Sequence, residues 1–269
     1  MARKQSKEVA TWDEQLAQYA DQAATMEANT GGGQFFSVRG GILTFQDAPL
    51  PNNEMAVIIL DTIFENVYYE GRYDPDTPMS PTCFAFARDE AELEPHVIVS
   101  DAGQDQSTDG CKSCEHNEWG SAETGKGKAC RNTRRLAMIP AGQFDRNGDL
   151  ELLDDIASAG IGFMKLPVTS VNGYASFVKQ IAGTLRRPPF GIITRVSVVP
   201  DPKTQFKVLF EPIDKVDDSM VEDILARVEE AKTLIDFPYQ LDEVEEEPKP
   251  KAKSKAKAKA PAARRGRKY

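Results

Sequence analysis

Four cysteines offer the clearest chemistry in this sequence: Cys83, Cys111, Cys114 and Cys130, all within residues 83–135. Cys111-Lys112-Ser113-Cys114 sets two thiols on either side of a tight turn, where both face one ion. Cys130 follows Cys114 with 15 residues between them, and Cys83 precedes Cys111 with 27 between. Four thiolates form a tetrahedral zinc set, and a closed set of four protein ligands makes the zinc structural rather than catalytic. The wide first gap is accommodated if Cys83 leaves a strand beside Cys130. His96 and His116, the two histidines, are alternative ligands, and four unconnected buried thiols are the competing reading. Four cysteines in 269 residues, behind an N-terminus with no apolar run, do not suit a disulfide scaffold. Thiolates held for a metal, in a cytoplasmic protein, are the expectation.

The same stretch is cationic. Zinc with four thiolates carries a formal charge of about −2, so nearby cations are expected for stability alone. The turn Gly125-Lys126-Gly127-Lys128 has no bulky side chains at its glycines, which also suits close approach of a phosphate backbone. Aromatic and basic residues interleave at Tyr68, Tyr69, Arg72, Tyr73, Phe84, Phe86 and Arg88, and again at Trp119. Single-stranded nucleic acid is held in this manner, bases stacking on rings while cations follow the phosphates. Phe84 and Phe86 alternate toward one side and are assigned to the core, whereas Tyr73 and Trp119 are the better stacking platforms. The candidate nucleic-acid-binding set is therefore Arg72, Tyr73, Arg88, Trp119, Lys126, Lys128, Arg131, Arg134 and Arg135.

Other chemistries fit poorly. Gly120-Ser121-Ala122-Glu123-Thr124-Gly125-Lys126 starts like a phosphate-binding loop, but Gly127 replaces the hydroxyl residue that magnesium needs and no apolar strand precedes it. Cys114-Glu115-His116-Asn117 lacks the second His-Asn of a zinc-bracketed nuclease, and no catalytic residue is assigned. Charge sets a further condition. Ten of the 33 basic side chains fall between Lys249 and Lys268 with no acid among them, leaving 23 against 42 acids elsewhere, a net of −19. Nucleic acid cannot bind such a body through bulk charge, so any binding face is a local cationic groove, helped by the tail.

The elements that must position these residues are mainly strands. Thr11-Trp12-Asp13-Glu14 has the capping-box spacing and predicts a helix over 12–28, ending in the hinge Gly31-Gly32-Gly33. From Gln34 the periodicity becomes extended, with a hairpin at Gly40-Gly41 and a long β-prone run over 55–69, read as one bent strand or two. Short strands are expected at 82–87, 134–139 and 162–168. A closing hairpin is expected over 192–210, around Pro200-Asp201-Pro202-Lys203. Thr169-Ser170 is expected to cap a helix over 171–182, and Asp217-Asp218-Ser219 to start another through about 235. The acidic block 242–247 and the Lys-Ala repeats after Pro250 cannot offset their ordering entropy and read as disordered. The expected class is α+β, mainly β, with an oligonucleotide/oligosaccharide-binding (OB)-like barrel over 34–240, a zinc insertion at about 83–135, an N-terminal helix and hinge over 1–33, and a tail over 241–269. No stretch approaches the length of a membrane span.

Cys-x-x-Cys-x-x-Asn-x-x-Gly-Ser (Cys111, Cys114, Asn117, Gly120, Ser121) and Gly-Lys-Gly-Lys-Ala-Cys over 125–130, set in mid-barrel, resemble zinc-containing single-stranded-DNA-binding proteins of phage replication and recombination. The resemblance covers about 35–212 and is specific in the cysteine region. It implies cooperative coating of exposed DNA strands, self-association along them, and an acidic C-terminal segment that recruits partner enzymes and competes for the groove. Residues 242–247 fit that segment, but a basic tail follows it. The alternative is a zinc-stabilised adaptor of phage transcription or assembly, its acidic body binding proteins and its tail anchoring DNA; a metal-dependent nuclease stands third.

Overall fold

The computed structural model describes residues 35–71, 79–107, 109–123, 126–145 and 147–241. The expected N-terminal helix, the tail from residue 242, Arg72 and Tyr73 lie outside them. The class is α+β, mainly β, as the periodicity predicts. Ten strands, β1 (Phe35–Arg39), β2 (Ile42–Phe45), β3 (Ala48–Pro49), β4 (Glu54–Tyr68), β5 (Cys83–Ala87), β6 (Arg131–Phe144), β7 (Leu150–Leu152), β8 (Gly162–Leu166), β9 (Ile192–Asp201) and β10 (Gln205–Lys215), form one sheet. Its order is β10-β9-β4-β6-β8-β1-β2-β3, with β5 added to β4 and β7 to β6. The pairings are antiparallel except β1 with β8.

β4 is the spine. The run over 55–69 is a single strand with register shifts at Ala56/Val57 and Ile59/Asp61, and such shifts bend a strand and increase its twist. Its near-continuous apolar sequence follows from burial on both faces. Met55, Val57 and Ile59 pack with Leu136, Met138 and the helix α2 (Val171–Thr184), through Tyr174, Phe177 and Ile181. Ala56, Ile58 and Leu60 pack on the other side with α3 (Val221–Leu234), through Ile224, Val228 and Ala231. A short helix, α1 (Val97–Asp101), lies in the cysteine region, anchored by Val99 in a small cluster with Val67, Cys83 and Phe84.

The sheet curls, and Phe206 on β10 comes within 3.8 Å of where a Gly41 Cβ would stand. Among the described residues no hydrogen-bonded ring closes it: β10 and β3 are its two ends, and the structure is a large mixed sheet rather than the expected closed barrel. Both ends resist further pairing. β3 is two residues long and contains Pro49. On β10 the Val208 amide, facing away from β9, donates to Ser170 Oγ at 2.9 Å, and Pro212, of the same parity, has no amide hydrogen. This changes the part expected of Ser170, which makes no cap bond to its own helix because its hydroxyl is occupied by the sheet edge. Asp217 caps a single 3-10 turn, Asp218–Met220, that leads into α3, accepting from the Ser219 amide; α3 itself has no side-chain cap. Among the described residues no helix is long and apolar enough to cross a membrane.

After α3 the chain returns across the sheet. Arg135, 3 % exposed, reaches the carbonyls of Ile235 at 3.0 Å and Phe237 at 2.7 Å. Its guanidinium lies between the rings of Phe86 and Phe237, at 4.3 and 4.0 Å from their centroids. Glu65, fully buried on β4, accepts from Arg135 Nε at 2.7 Å and from the Tyr239 hydroxyl at 2.5 Å, with Lys165 Nζ at 3.0 Å. Residues 235–241 thus form a strap, held to the sheet by a charged network centred on the buried Glu65–Arg135 pair, with Lys165 at its solvent edge.

Candidate functional site

The cysteines gather at one end of β4 for a topological reason. Cys83 opens β5 opposite Tyr68, and Cys130 immediately precedes β6, whose first residue, Arg131, is opposite Val67. β4 runs between them, so Cys83 is not on the strand next to Cys130 but across the spine from it. The Cys111–Cys114 turn folds back over this end: the Cys111 amide donates to Leu93 O at 3.0 Å and the Cys130 amide to His116 O at 2.8 Å.

All four cysteines are free, 8 % exposed, and line one cavity of about 20 Å³ with Asn66, Tyr68, Phe84 and Asn117. That volume admits one water-sized body. Burial first, then the neighbouring sulfurs, push the Cys111 thiol up to about 11 and the Cys130 thiol up to about 12; burial likewise lifts Cys83 to about 11. Among the described residues no group of three or more His, Cys, Asp or Glu side chains is drawn together in the geometry that holds a metal ion. The donor set nonetheless fits zinc in kind: four sulfurs around an ion-sized space, beside an orphaned buried amide, Asn66 Nδ2. Neither histidine lines the cavity. His96 Nδ1 accepts from the Ile98 amide at 3.3 Å, and His116 stacks on Tyr68 with ring centroids 4.0 Å apart.

The loop that carries Lys126 and Lys128 is pinned to the Cys111–Cys114 turn through polar groups. Asn117 Nδ2 donates to Cys111 O at 2.7 Å while its Oδ1 accepts from Lys128 Nζ at 3.0 Å. Ser121 Oγ donates toward His116 O and accepts from the Ala129 amide, both at 2.9 Å. The ammonium of Lys128 stands 5.9 Å from the ring centroid of Trp119, which is 81 % exposed, and the Arg131 guanidinium 5.3 Å from that of Tyr69. A cleft of about 860 Å³ opens here, lined by Tyr68, Tyr69, His116, Glu123, Lys128 and Arg131 among others.

The candidate set divides accordingly. Lys128 and Arg131 share the cleft, Trp119 stands beside Lys128, and Lys126 is exposed on the same loop. Arg88 is exposed but bonded to Asp61 at 2.5 and 2.8 Å. Arg134 lies over the Phe64 ring at 3.4 Å, and its partial burial lowers its pKa. Arg135 faces the opposite side of β6 from Arg134 and is consumed by Glu65 and the strap, so it presents no surface. Tyr68 and Tyr69 were visible in the aromatic-basic interleaving, yet only the position of β4 between the cysteine segments places them at the cleft. The stacking of His116 on Tyr68 had no sequence signal, since the two are distant in the chain. Compared with protein-family models, curated proteins and solved structures, the chain matches none.

Proposed function

We propose that this chain is a non-enzymatic binder of single-stranded DNA that coats or protects exposed strands during phage DNA replication and recombination. The observation that carries the reading is the cleft itself: Tyr68, Tyr69, His116, Lys128 and Arg131 meet in one space beside the four cysteines. On a body with a large excess of acids, this is the local arrangement that single-strand binding requires. Rings accept bases at about 1–3 kcal/mol each, while cations follow the phosphates. In this reading the curled open sheet is an OB-like barrel left unclosed, and Cys83, Cys111, Cys114 and Cys130 hold a structural zinc. When bound, the ion would supply a cross-link between three distant chain segments. The protein groups do the rest: Asn117 ties the Cys111–Cys114 turn to Lys128, and Lys128 and Arg131 meet phosphate. Residues 242–247 would serve partner replication or recombination proteins, and a cytoplasmic setting in the bacterial host follows from the role.

The test is a titration of fluorescent single-strand, duplex and RNA oligomers against salt, with metal content measured on the same preparation. The expected result is preference for single strands, with log affinity falling linearly in log salt. Equal weak binding to duplex and single strand, abolished by deletion of 242–269, would favour the adaptor instead.

A further inference from the structure

Asn66 is an unusual residue for its position. It sits in β4 between Glu65 and Val67, both fully buried, and is itself 3 % exposed. Asparagine is depleted in strands, and a buried amide is costly unless each end is bonded. One end is bonded: Asn66 Oδ1 accepts from Asn132 Nδ2 at 2.6 Å, and the two residues are direct partners across β4 and β6. With Asn132 as the donor, the Asn66 amide nitrogen is turned away from β6's asparagine. Nδ2 is left buried with no aligned acceptor, on the side of Asn66 that lines the cysteine cavity, where its polar neighbour is the Cys111 sulfur. A neutral thiol is a weak acceptor. A thiolate is a strong one, and a donor aimed at it offsets part of the negative charge that four sulfurs bring to one ion.

We infer that Asn66 positions and stabilises a metal-bound Cys111 thiolate by donating its Nδ2 hydrogen to the sulfur, with Asn132 holding the amide in that orientation. The inference rests on the zinc reading above and adds a named residue to it. The orphaned donor is then explained: its acceptor is formed when the metal arrives. Outer ligand-orienting groups of this kind are worth roughly 10- to 100-fold in metal affinity.

The experiment uses the full chain with cobalt(II) as the probe, because cobalt bound to thiolates has a sulfur-to-metal charge-transfer band. Wild type, Asn66→Leu and Asn132→Leu are titrated with cobalt, and zinc is competed with a chelator. Circular dichroism of each chain checks the fold. Asn66→Leu is expected to lose roughly 10- to 100-fold in affinity and to move the band to lower energy, since an unbonded sulfur gives up its electrons more readily. Asn132→Leu is expected to shift both in the same direction by less. A wild-type band with an Asn66→Leu affinity within about twofold and an unmoved band overturns the role of Asn66 alone. A wild-type chain with no thiolate band overturns the zinc reading itself. Should Asn66→Leu fail to fold, the wild-type Asn66 side-chain amide resonance decides: on cadmium binding it moves downfield and gains a coupling to the metal, and a stationary resonance overturns the inference.

Discussion

Glu65→Gln removes one negative charge from the strap network while keeping its shape, and the expected cost is about 3–5 kcal/mol of folding stability. The size follows from what surrounds the carboxylate. Arg135 Nε at 2.7 Å and Lys165 Nζ at 3.0 Å each attract it by about 6 kcal/mol at an effective dielectric of about 20. Desolvation of the buried ions consumes most of that gain, so the intact network is worth little net. Its rupture is another matter, because Arg135 at 3 % exposure would face a neutral amide with no route to water. Denaturant unfolding of wild type and variant gives the cost, and hydrogen exchange at 235–241 should show the strap opening before β4 does. Acidity supplies a second check. Burial pushes the Glu65 carboxyl up, but Lys165, Arg135 and the Tyr239 hydroxyl together outweigh it and hold it below the usual 4.5. The unfolded chain therefore takes up this proton first as pH falls. The contribution is complete above about pH 4.5 and disappears as pH drops through the folded-state value, so the gap between wild type and Glu65→Gln narrows in acid. A cost under about 1 kcal/mol, or a gap that acid leaves unchanged, would refute the assignment of this network as the strap's fastening.

Three further outcomes are expected. Replacing Lys126 and Lys128 together by Ala should weaken single-strand binding and flatten its log-log salt dependence by roughly 1.4 units, at about 0.7 per phosphate contact; an unchanged slope means this loop never meets phosphate. Gly162→Ala would place a Cβ 2.5 Å from Phe36 and 3.0 Å from Phe45, two rings stacked 4.3 Å apart, and should cost about 1–3 kcal/mol in thermal or denaturant unfolding. Ser170→Ala leaves the Val208 amide at the sheet edge without its acceptor, for a loss of about 1–3 kcal/mol and a rise in light scattering as the edge becomes free to pair; scattering and stability equal to wild type would show the edge needs no guard.

Much of the fold is legible in the residues. The β-branched run of β4, the Gly40-Gly41 turn, the helix carrying Tyr174, Phe177 and Ile181, and the closing hairpin each announce themselves through local period and turn chemistry, and the structure has all four. The spacing of Cys111 and Cys114 is legible for the same reason, since a turn is a local object.

What the sequence determined by itself, then, is which segments extend, which coil, and which side chains are available for chemistry, because those follow from steric preferences within a few residues. Only tertiary structure decided where each is spent. Arg134 and Arg135 are chemically alike and adjacent, yet strand alternation sends one over Phe64 and the other into the buried network with Glu65, and no local rule says which face of β6 the strap will cover. Ser170 reads as a helix cap and instead holds a strand edge 38 residues away. Cys83 and Cys130 share a cavity because β4 passes between their strands, and Tyr68 lies beside His116 because a loop folds back over the spine's end. These are long-range pairings, set by the burial of a whole sheet and invisible in any window of the chain.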